Sequence, residues 1–268
     1  MMVSGLPGKM ATLVAEAIKQ SKDFSLFPIA LSSERRQGNS LSLGDAELLL
    51  LPPKGLGLVE SLKENKIPVV DFTTPDAVND NAEAYVRAGL PFVMGTTGGD
   101  RQKLIETVKN SEICAVIAPN MAPGLVLTQA MFENVAQNFP GALKGWALEI
   151  TESHQATKKD PSGTGKAWGE LFSKLGCAVS GMESIRDPEK QSELGIKNLD
   201  GHGYHWLTLE NSDGTAVIKI STAIEGRNPY VDGTLMAIKF LQEQIESGAK
   251  GKVFSMIDVL KAQSQEQG

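Results

Sequence analysis

"MMVSGLPGKMATLVAEAIKQ", residues 1–20, opens on a short apolar run and turns through Gly5 and Gly8. It then sets Met10, Leu13, Val14, Ala17 and Ile18 at helical spacing. A strand, a glycine turn and a helix are the reading. The same alternation continues downstream. "FSLFPIAL" (24–31), "AELLLLPP" (46–53), "IPVVDFTTP" (67–75), "PFVMGTTGG" (91–99) and "ICAVIAPN" (113–120) are apolar runs of strand length that end in small or polar residues. Between them lie helical patterns such as "PDAVNDNAEAYVRAGL" (75–90) and "DRQKLIETVKN" (100–110). Strand runs alternating with helices predict an α/β domain, a Rossmann-like parallel sheet covered on both faces.

In such a sheet, ligands lie beyond the carboxyl ends of the strands. Those ends carry "GLPG", "LSSERR", "DFTTP", "GTTGG" and "APNMAPG", so five loops converge on one edge. Gly5-x-x-Gly8 matches many ordinary tight turns as a pattern. Its position between the first strand and first helix is what gives it meaning, because bare backbone there lets a pyrophosphate approach the helix N-terminus. After the second strand, an NAD site commonly carries an acid for the ribose 2′-hydroxyl, which would repel a 2′-phosphate. Here Ser32, Ser33, Arg35 and Arg36 follow, with Lys9 in the glycine turn, so NADPH is favoured over NADH. The competing reading is a solvated loop of Glu34, Arg35 and Arg36.

Composition bounds the rest. At 268 residues with 41% apolar content, the chain has material for two modest domains or one large one. Two cysteines are too few for a disulfide framework, and Cys114 lies inside an apolar run, so reduced, buried thiols are expected. A net charge of −6 with interspersed signs argues against a nucleic-acid surface. No run approaches the roughly 18 apolar residues of a membrane span, so a soluble protein is expected, and a removed upstream targeting segment is compatible with the sequence. The polar tail "KAQSQEQG" (261–268) is expected to fray.

From about Trp146 the pattern changes to long alternating strands: "WALEITES" (146–153), "YHWLTLEN" (204–211) and "TAVIKISTAI" (215–224). They predict a smaller α+β domain with a mostly antiparallel, open sheet. A helix, "GKAWGELFSKLG" (165–176), lies between the first two. The last segment, "NPYVDGTLMAIKFLQEQIES" (228–247), reads as helix, and "KVFSMIDVL" (252–260) as a tail packing back on the first domain. The expected division is 1–121 with 228–268 for the nucleotide, and 122–227 for substrate and oligomerisation.

"TESHQATKKDPSGTGKAW" (151–168) gathers one of only three histidines, three lysines and a Ser-Gly-Thr turn between a strand end and a helix start. His154 can donate a proton near neutral pH, and Lys158 is a cationic donor. Ser162, Gly163 and Thr164 at a helix N-terminus suit a carboxylate. The bland alternative is a capped helix after a polar loop, with the lysines in water. Arg227 can reach a substrate carboxylate bidentately, or form a surface ion pair. His202 and His205 lack zinc spacing and accompany no cysteine pair, so no metal is expected. His205 fits loop orientation or a polar core position.

"VSGLPGKM", "DFTTP", "GTTGG", "APN" and "ESHQATKKDPSGTGKA", in this order, resemble the 4-hydroxy-tetrahydrodipicolinate reductases, also called dihydrodipicolinate reductases, of lysine (diaminopimelate) biosynthesis. The plant-type branch is the most similar, through "SHQ", "IRDPEKQ" and the closing "MIDVL". The resemblance implies hydride transfer from NADPH or NADH to a small dianionic cyclic imine. It implies His154 as general acid with Lys158 assisting, and Ser162, Gly163, Thr164 and Arg227 on the substrate. On the cofactor side it implies Gly5, Gly8, Lys9 and Met10 at the pyrophosphate, with Phe72, Gly95, Thr97, Ala118, Asn120 and Met121 lining the site. A homo-oligomer, dimer favoured over tetramer, and a plastid stroma in a plant or alga (cytoplasm otherwise) follow as expectations.

Gln155 replaces the second histidine of bacterial members. The shorter stretch before Ser162 selects Lys158 over Lys159. Two other functions remain open: a different NADPH-dependent dehydrogenase of a small acid, and a non-catalytic nucleotide sensor. The His154, Lys158 and Ser-Gly-Thr cluster discriminates against the sensor.

Overall fold

The computed structural model describes residues 1–52, 55, 67–158 and 162–266. The chain forms two compact units, Met1–Pro123 with Tyr230–Gly268, and Gly124–Pro229.

The first unit is built on a five-stranded sheet. Strands β1 (Met2–Ser4), β5 (Val69–Asp71), β6 (Phe92–Met94), β7 (Cys114–Ile117) and β12 (Lys252–Phe254) lie in that order, every pair parallel. Each residue of β1, β5, β6 and β7 is buried, as expected for strands covered on both faces. Helix α1 (Lys9–Gln20) turns Ala11, Val14, Ala15 and Ile18 inward, the i, i+3, i+4, i+7 stripe that drives an amphipathic helix onto a sheet. Helices α2 (Val78–Ala88) and α3 (Arg101–Lys109) contribute Val78, Ala82, Tyr85, Leu104 and Val108 to a core that includes Val69, Phe92 and Ile117. Each such side chain contributes roughly 1.5–3 kcal/mol by leaving water.

Two segments read from the sequence as members of this sheet stand apart from it. β2 (Ile29–Leu31) and β4 (Ala46–Leu51) form a three-stranded sheet with β3 (Ser40–Leu43), in which β2 runs parallel and β3 antiparallel to β4. The reason lies in β4. Leu48 and Leu50 are buried but Leu49 is exposed, so the leucine run has one dry face only. β2 still ends beside β1, because the Gly5 N–H donates to the Leu31 carbonyl at 3.0 Å.

In the second unit, β8 (Ala147–His154), β10 (His202–Glu210) and β11 (Val217–Glu225) pair antiparallel. A fourth strand, β9 (Ala178–Ile185), adds in parallel to β8 through the crossover helix α5 (Gly163–Lys174), completing the order β11-β10-β8-β9. The sequence reading missed β9 because "AVSGMESI" shows no apolar alternation. It is an edge strand, largely exposed, held by its backbone ladder. Helix α4 (Pro123–Asn138) lays Phe132 against Trp168, rings edge to face at 5.3 Å, over a core of Leu148, Ile150, Phe172 and Leu207. A short helix α6 (Pro188–Glu193) follows β9.

Helix α7 (Asn228–Glu246) returns the chain to the first unit, and α8 (Met256–Glu266) follows β12. The tail expected to fray is therefore helical through Glu266, as the continuation of a helix whose Val259 is fully buried. Gly233 lets α7 approach the loop after β7, since a Cβ there would lie 1.7 Å from the Met121 carbonyl oxygen. Gly233→Ala is expected to cost about 3 kcal/mol or more despite alanine's better helix propensity. The midpoint of thermal unfolding, followed by circular dichroism, should fall by at least roughly 6 °C.

Candidate active site

On the first unit, the loops after β1, β5, β6 and β7 leave the same edge of the parallel sheet. Gly5 has φ +103, and a Cβ there would sit 2.1 Å from the Phe72 carbonyl oxygen, so only glycine allows the turn to nest against the next loop. The Gly8 N–H donates to the Gly5 carbonyl at 2.8 Å and closes the turn. The first intrahelical bond of α1 runs from Thr12 N–H to Gly8 C=O, which leaves the amides of Lys9, Met10 and Ala11 at the helix mouth. No side chain caps this terminus and no acid lies in its first turn. A bare backbone cradle with unscreened donors fits the pyrophosphate of a dinucleotide.

Ser32 Oγ donates to the Leu6 carbonyl at 3.0 Å, which ties the end of β2 to the glycine turn. Ser33, Arg35 and Arg36 follow in an exposed 3-10 turn spanning Glu34–Arg36. Phe72 packs its ring over Gly95, where a Cβ would meet Cε1 at 2.3 Å. Thr97 is exposed, Ala118 and Met121 are buried, and Asn120 Oδ1 accepts from the Ala122 N–H.

One buried carboxylate organises this edge, and the sequence reading did not single it out. Asp71 Oδ1 accepts from Thr73 N–H, Thr73 Oγ1 and Thr96 Oγ1, and Oδ2 from Asn81 Nδ2 and Tyr85 OH, all within 2.7–3.0 Å. Tyr85 OH also contacts Ser4 Oγ at 2.8 Å. Burial, reinforced by Asp71, pushes the Tyr85 hydroxyl well above its ordinary value. Three strand ends and α2 are thereby fastened together. An Asp at the end of an apolar strand, with Thr two residues on and Asn and Tyr on the next helix, was the available signal.

The second unit carries the acid–base groups. Leu148, Ile150 and Glu152 share the inward face of β8, and His154 continues that face at the strand end. Glu152 is fully buried, and it accepts from His154 Nδ1 at 2.6 Å, Ser184 Oγ at 2.6 Å and two nitrogens of Arg186 at 2.6 and 2.9 Å. Burial alone would raise its pKa, but the donors from His154, Arg186 and Ser184 outweigh it and hold the carboxyl well below the usual range. Glu152 therefore stays charged. With Nδ1–H committed to this carboxylate, His154 turns Nε2 away from it, and Nε2 has no hydrogen-bond partner among the described residues.

Ser162 caps α5 by accepting from the Gly165 N–H at 3.2 Å, and bonds His205 Nε2 at 2.7 Å. The amides of Gly163 and Thr164 precede the first intrahelical bond and point out of the helix mouth. The Lys158 N–H donates to the Gln155 carbonyl, and its own carbonyl accepts from Arg186 Nε at 3.1 Å. The alternative Lys159 lies outside the described residues. Arg227 follows β11 at the same end of the sheet as His154, and its Nη2 donates to the Asp200 carbonyl at 2.8 Å. The structure thus brings His154, Ser162 and the Lys158 backbone around one corner, with Glu152 and Arg186 as members the sequence reading left aside and His205 buried against Ser162 of the loop. A Glu-x-His spacing on a strand was the legible sign for Glu152.

Comparison with known proteins gives the class, an oxidoreductase that uses a nicotinamide cofactor. A family model described as dihydrodipicolinate reductase, N-terminus, matches residues 1–121, and one described as dihydrodipicolinate reductase, C-terminus, matches residues 124–260. The chain belongs to the dihydrodipicolinate reductase family. It is 41% identical over 268 residues to 4-hydroxy-tetrahydrodipicolinate reductase 2, chloroplastic, of Arabidopsis thaliana, covering 97% of this chain and 76% of that protein. The 4-hydroxy-tetrahydrodipicolinate reductase of Herminiimonas arsenicoxydans is 31% identical over 273 residues, 96% of each chain. Among solved structures, a dipicolinate-bound dihydrodipicolinate reductase from Paenisporosarcina sp. TG-14 shares the fold with a TM-score of 0.63 at 18% identity, covering 95% of this chain and 96% of that one. No described helix is long and apolar enough to cross a membrane.

The histidine partners give a pH prediction. Burial, aided by the charge of nearby His154, pushes the His205 imidazole down to about 4, against its ordinary value near 6.5. Between those two values the unfolded chain binds a proton that folded His205 refuses, so this contribution to stability is lost as pH falls through that window. The loss should reach on the order of 3 kcal/mol by pH 4. Urea unfolding at pH 7, 5.5 and 4.5 should show the decline, and His205→Asn should flatten it.

Proposed function

We propose that the chain catalyses the NADPH-dependent reduction of 4-hydroxy-tetrahydrodipicolinate to tetrahydrodipicolinate in lysine biosynthesis, with His154 as the proton donor. The observation that carries the reading is the 2.6 Å contact between His154 Nδ1 and Glu152 Oε2. The Nδ1–H is engaged by a charged, buried Glu152, so a proton held on Nε2 is the one available for transfer. A reduced nicotinamide, when bound, supplies the hydride.

The remaining groups bind and orient. The Gly163 and Thr164 amides, beside the Ser162 cap, offer donors to one carboxylate of a dianionic substrate. Lys158 and Arg227 supply positive charge for the rest of the anion. Such positioning matters because misplacement of the acceptor carbon by about 1 Å can cost on the order of 100-fold in rate. On the first unit, Gly5, Gly8, Lys9 and Met10 form the pyrophosphate cradle. Phe72, Gly95, Thr97, Ala118, Asn120 and Met121 lie at the strand ends that take the nicotinamide half. The nucleotide part is read as residues 1–121 with 228–268, and the substrate part as 122–227.

NADPH is preferred over NADH in this reading, because Ser32 is tied to the glycine turn and Ser33, Arg35 and Arg36 stand where an acid would reject a 2′-phosphate. A homodimer is supported by exposed Val217 and Ile218 on β11. A plastid stroma is supported by relatives named as chloroplastic.

His154→Gln is expected to lower kcat by at least about 100-fold while leaving the Kd for NADPH, read by fluorescence titration, within about twofold. Turnover near wild type would remove His154 from the mechanism. The assay is NADPH oxidation with enzymatically generated 4-hydroxy-tetrahydrodipicolinate, and a chain that binds NADPH without oxidising it under these conditions would be a sensor instead. The double variant Arg35→Ala/Arg36→Ala should raise KM for NADPH about tenfold or more and leave that for NADH nearly unchanged. Equal effects on both would place the arginines away from the 2′-phosphate.

A further inference from the structure

Arg186 has no place in the chemistry above, yet its contacts run through it. The residue follows the end of β9, and its side chain is about one-fifth exposed. Nη2 meets Glu152 Oε1 at 2.6 Å, while Nη1 meets Oε2 at 2.9 Å. Oε2 is also the oxygen that accepts from His154 Nδ1, so guanidinium and imidazole share one acceptor atom. From the same guanidinium, Nε donates to the carbonyl of Lys158. A single planar group therefore grips both the carboxylate behind the proton donor and the backbone of the neighbouring lysine.

We propose that Arg186 is the positioning residue of the proton-donating corner: by sharing Glu152 with His154 it sets how readily the imidazole releases its proton, and by holding the Lys158 carbonyl it fixes the loop beside it. The inference rests on the reading of His154 as proton donor.

The physical basis is competition for one buried anion. Without Arg186, the whole negative charge of Glu152 would face His154 and hold its proton more tightly. With Arg186 in place, part of that charge is already neutralised, so guanidinium and imidazole compete for one anion. Removing Glu152 instead would leave the imidazolium without its counter-charge and beside a guanidinium. Among the described residues, the other titratable groups near this corner are His205 and His202 on β10, Lys158 in the following loop, and Glu225 on β11, which acts on His202. None of them bonds Glu152. The two deletions therefore push the acidity of His154 in opposite directions, which loss of structure alone would not do.

The test is the pH profile of kcat in the full-length protein, with thermal unfolding and NADPH binding as checks on folding. A general acid loses activity as pH rises past its own titration, giving an alkaline limb. Glu152→Gln is expected to move that limb down by about one pH unit, and Arg186→Met to move it up by a similar amount. Arg186→Lys, which keeps the cation without the Nε bond, should restore the limb towards wild type while raising KM for the substrate. Where Arg186→Met does not fold, Arg186→Gln takes its place.

Nitrogen-15 NMR of His154 in the resting protein provides a readout independent of turnover. Opposite displacements of its titration in the two variants support the coupling even if His154→Gln were to keep full activity, an outcome that would sink only the proton-donor reading. Displacements of the same sign, or none, in both the titration and the kcat limb overturn the role of Arg186.

Discussion

A carboxylate with no exposure to water is tolerable only where donors replace its hydration, and Glu152 meets that demand completely. Its position follows from the pleat of β8. Leu148 and Ile150 face the core, and the period of two delivers residue 152 to the same side. Once an anion stands there, the surrounding sequence has to converge. Ser184 and Arg186 arrive from the parallel strand β9, and His154 arrives from two residues along the same strand. Breaking a pairing of this kind by deleting one partner typically costs about 3–5 kcal/mol. The corner that holds His154 is thus positioned by the need to satisfy one buried anion.

The first unit uses the same device for another purpose. Asp71 is equally buried, but its partners are neutral donors from loops and a helix. No cation is shared, and the carboxylate works as a rivet between strand ends. Its effect is to hold the Phe72 carbonyl against Gly5 and the Phe72 ring over Gly95, which shapes the loop edge of the parallel sheet. One anion therefore stiffens a binding surface, and the other orients a titratable ring.

Much of the fold was legible because its signals are local. Continuous apolar runs flanked by glycine and proline gave β1, β5, β6 and β7. The 3.6-residue stripe of Ala11, Val14, Ala15 and Ile18 lies on a helix that residues 1–20 announced. What escaped depends on partners distant in sequence. β9 carries serine, glycine and glutamate and exists as a strand because β8 offers it a ladder. β4 reads as a buried strand until Leu49 is found in solvent. In the site, His154, Lys158 and Ser162 stood out through clustering and scarcity. Arg186 and His205 act across 28 to 43 residues of chain through hydrogen bonds that no linear pattern encodes, whereas Glu152 has its sign in the Glu-x-His spacing.

The parallel sheet takes its last strand, β12, from residues 252–254, after the whole of the second unit has intervened. During synthesis on a ribosome, β7 must therefore wait with one edge unpaired until residues 252–254 have emerged. An open, fully apolar strand edge is adhesive. Its protection falls meanwhile to chaperones or to rapid folding of the intervening unit, and the first unit can close its sheet only after the second has been made.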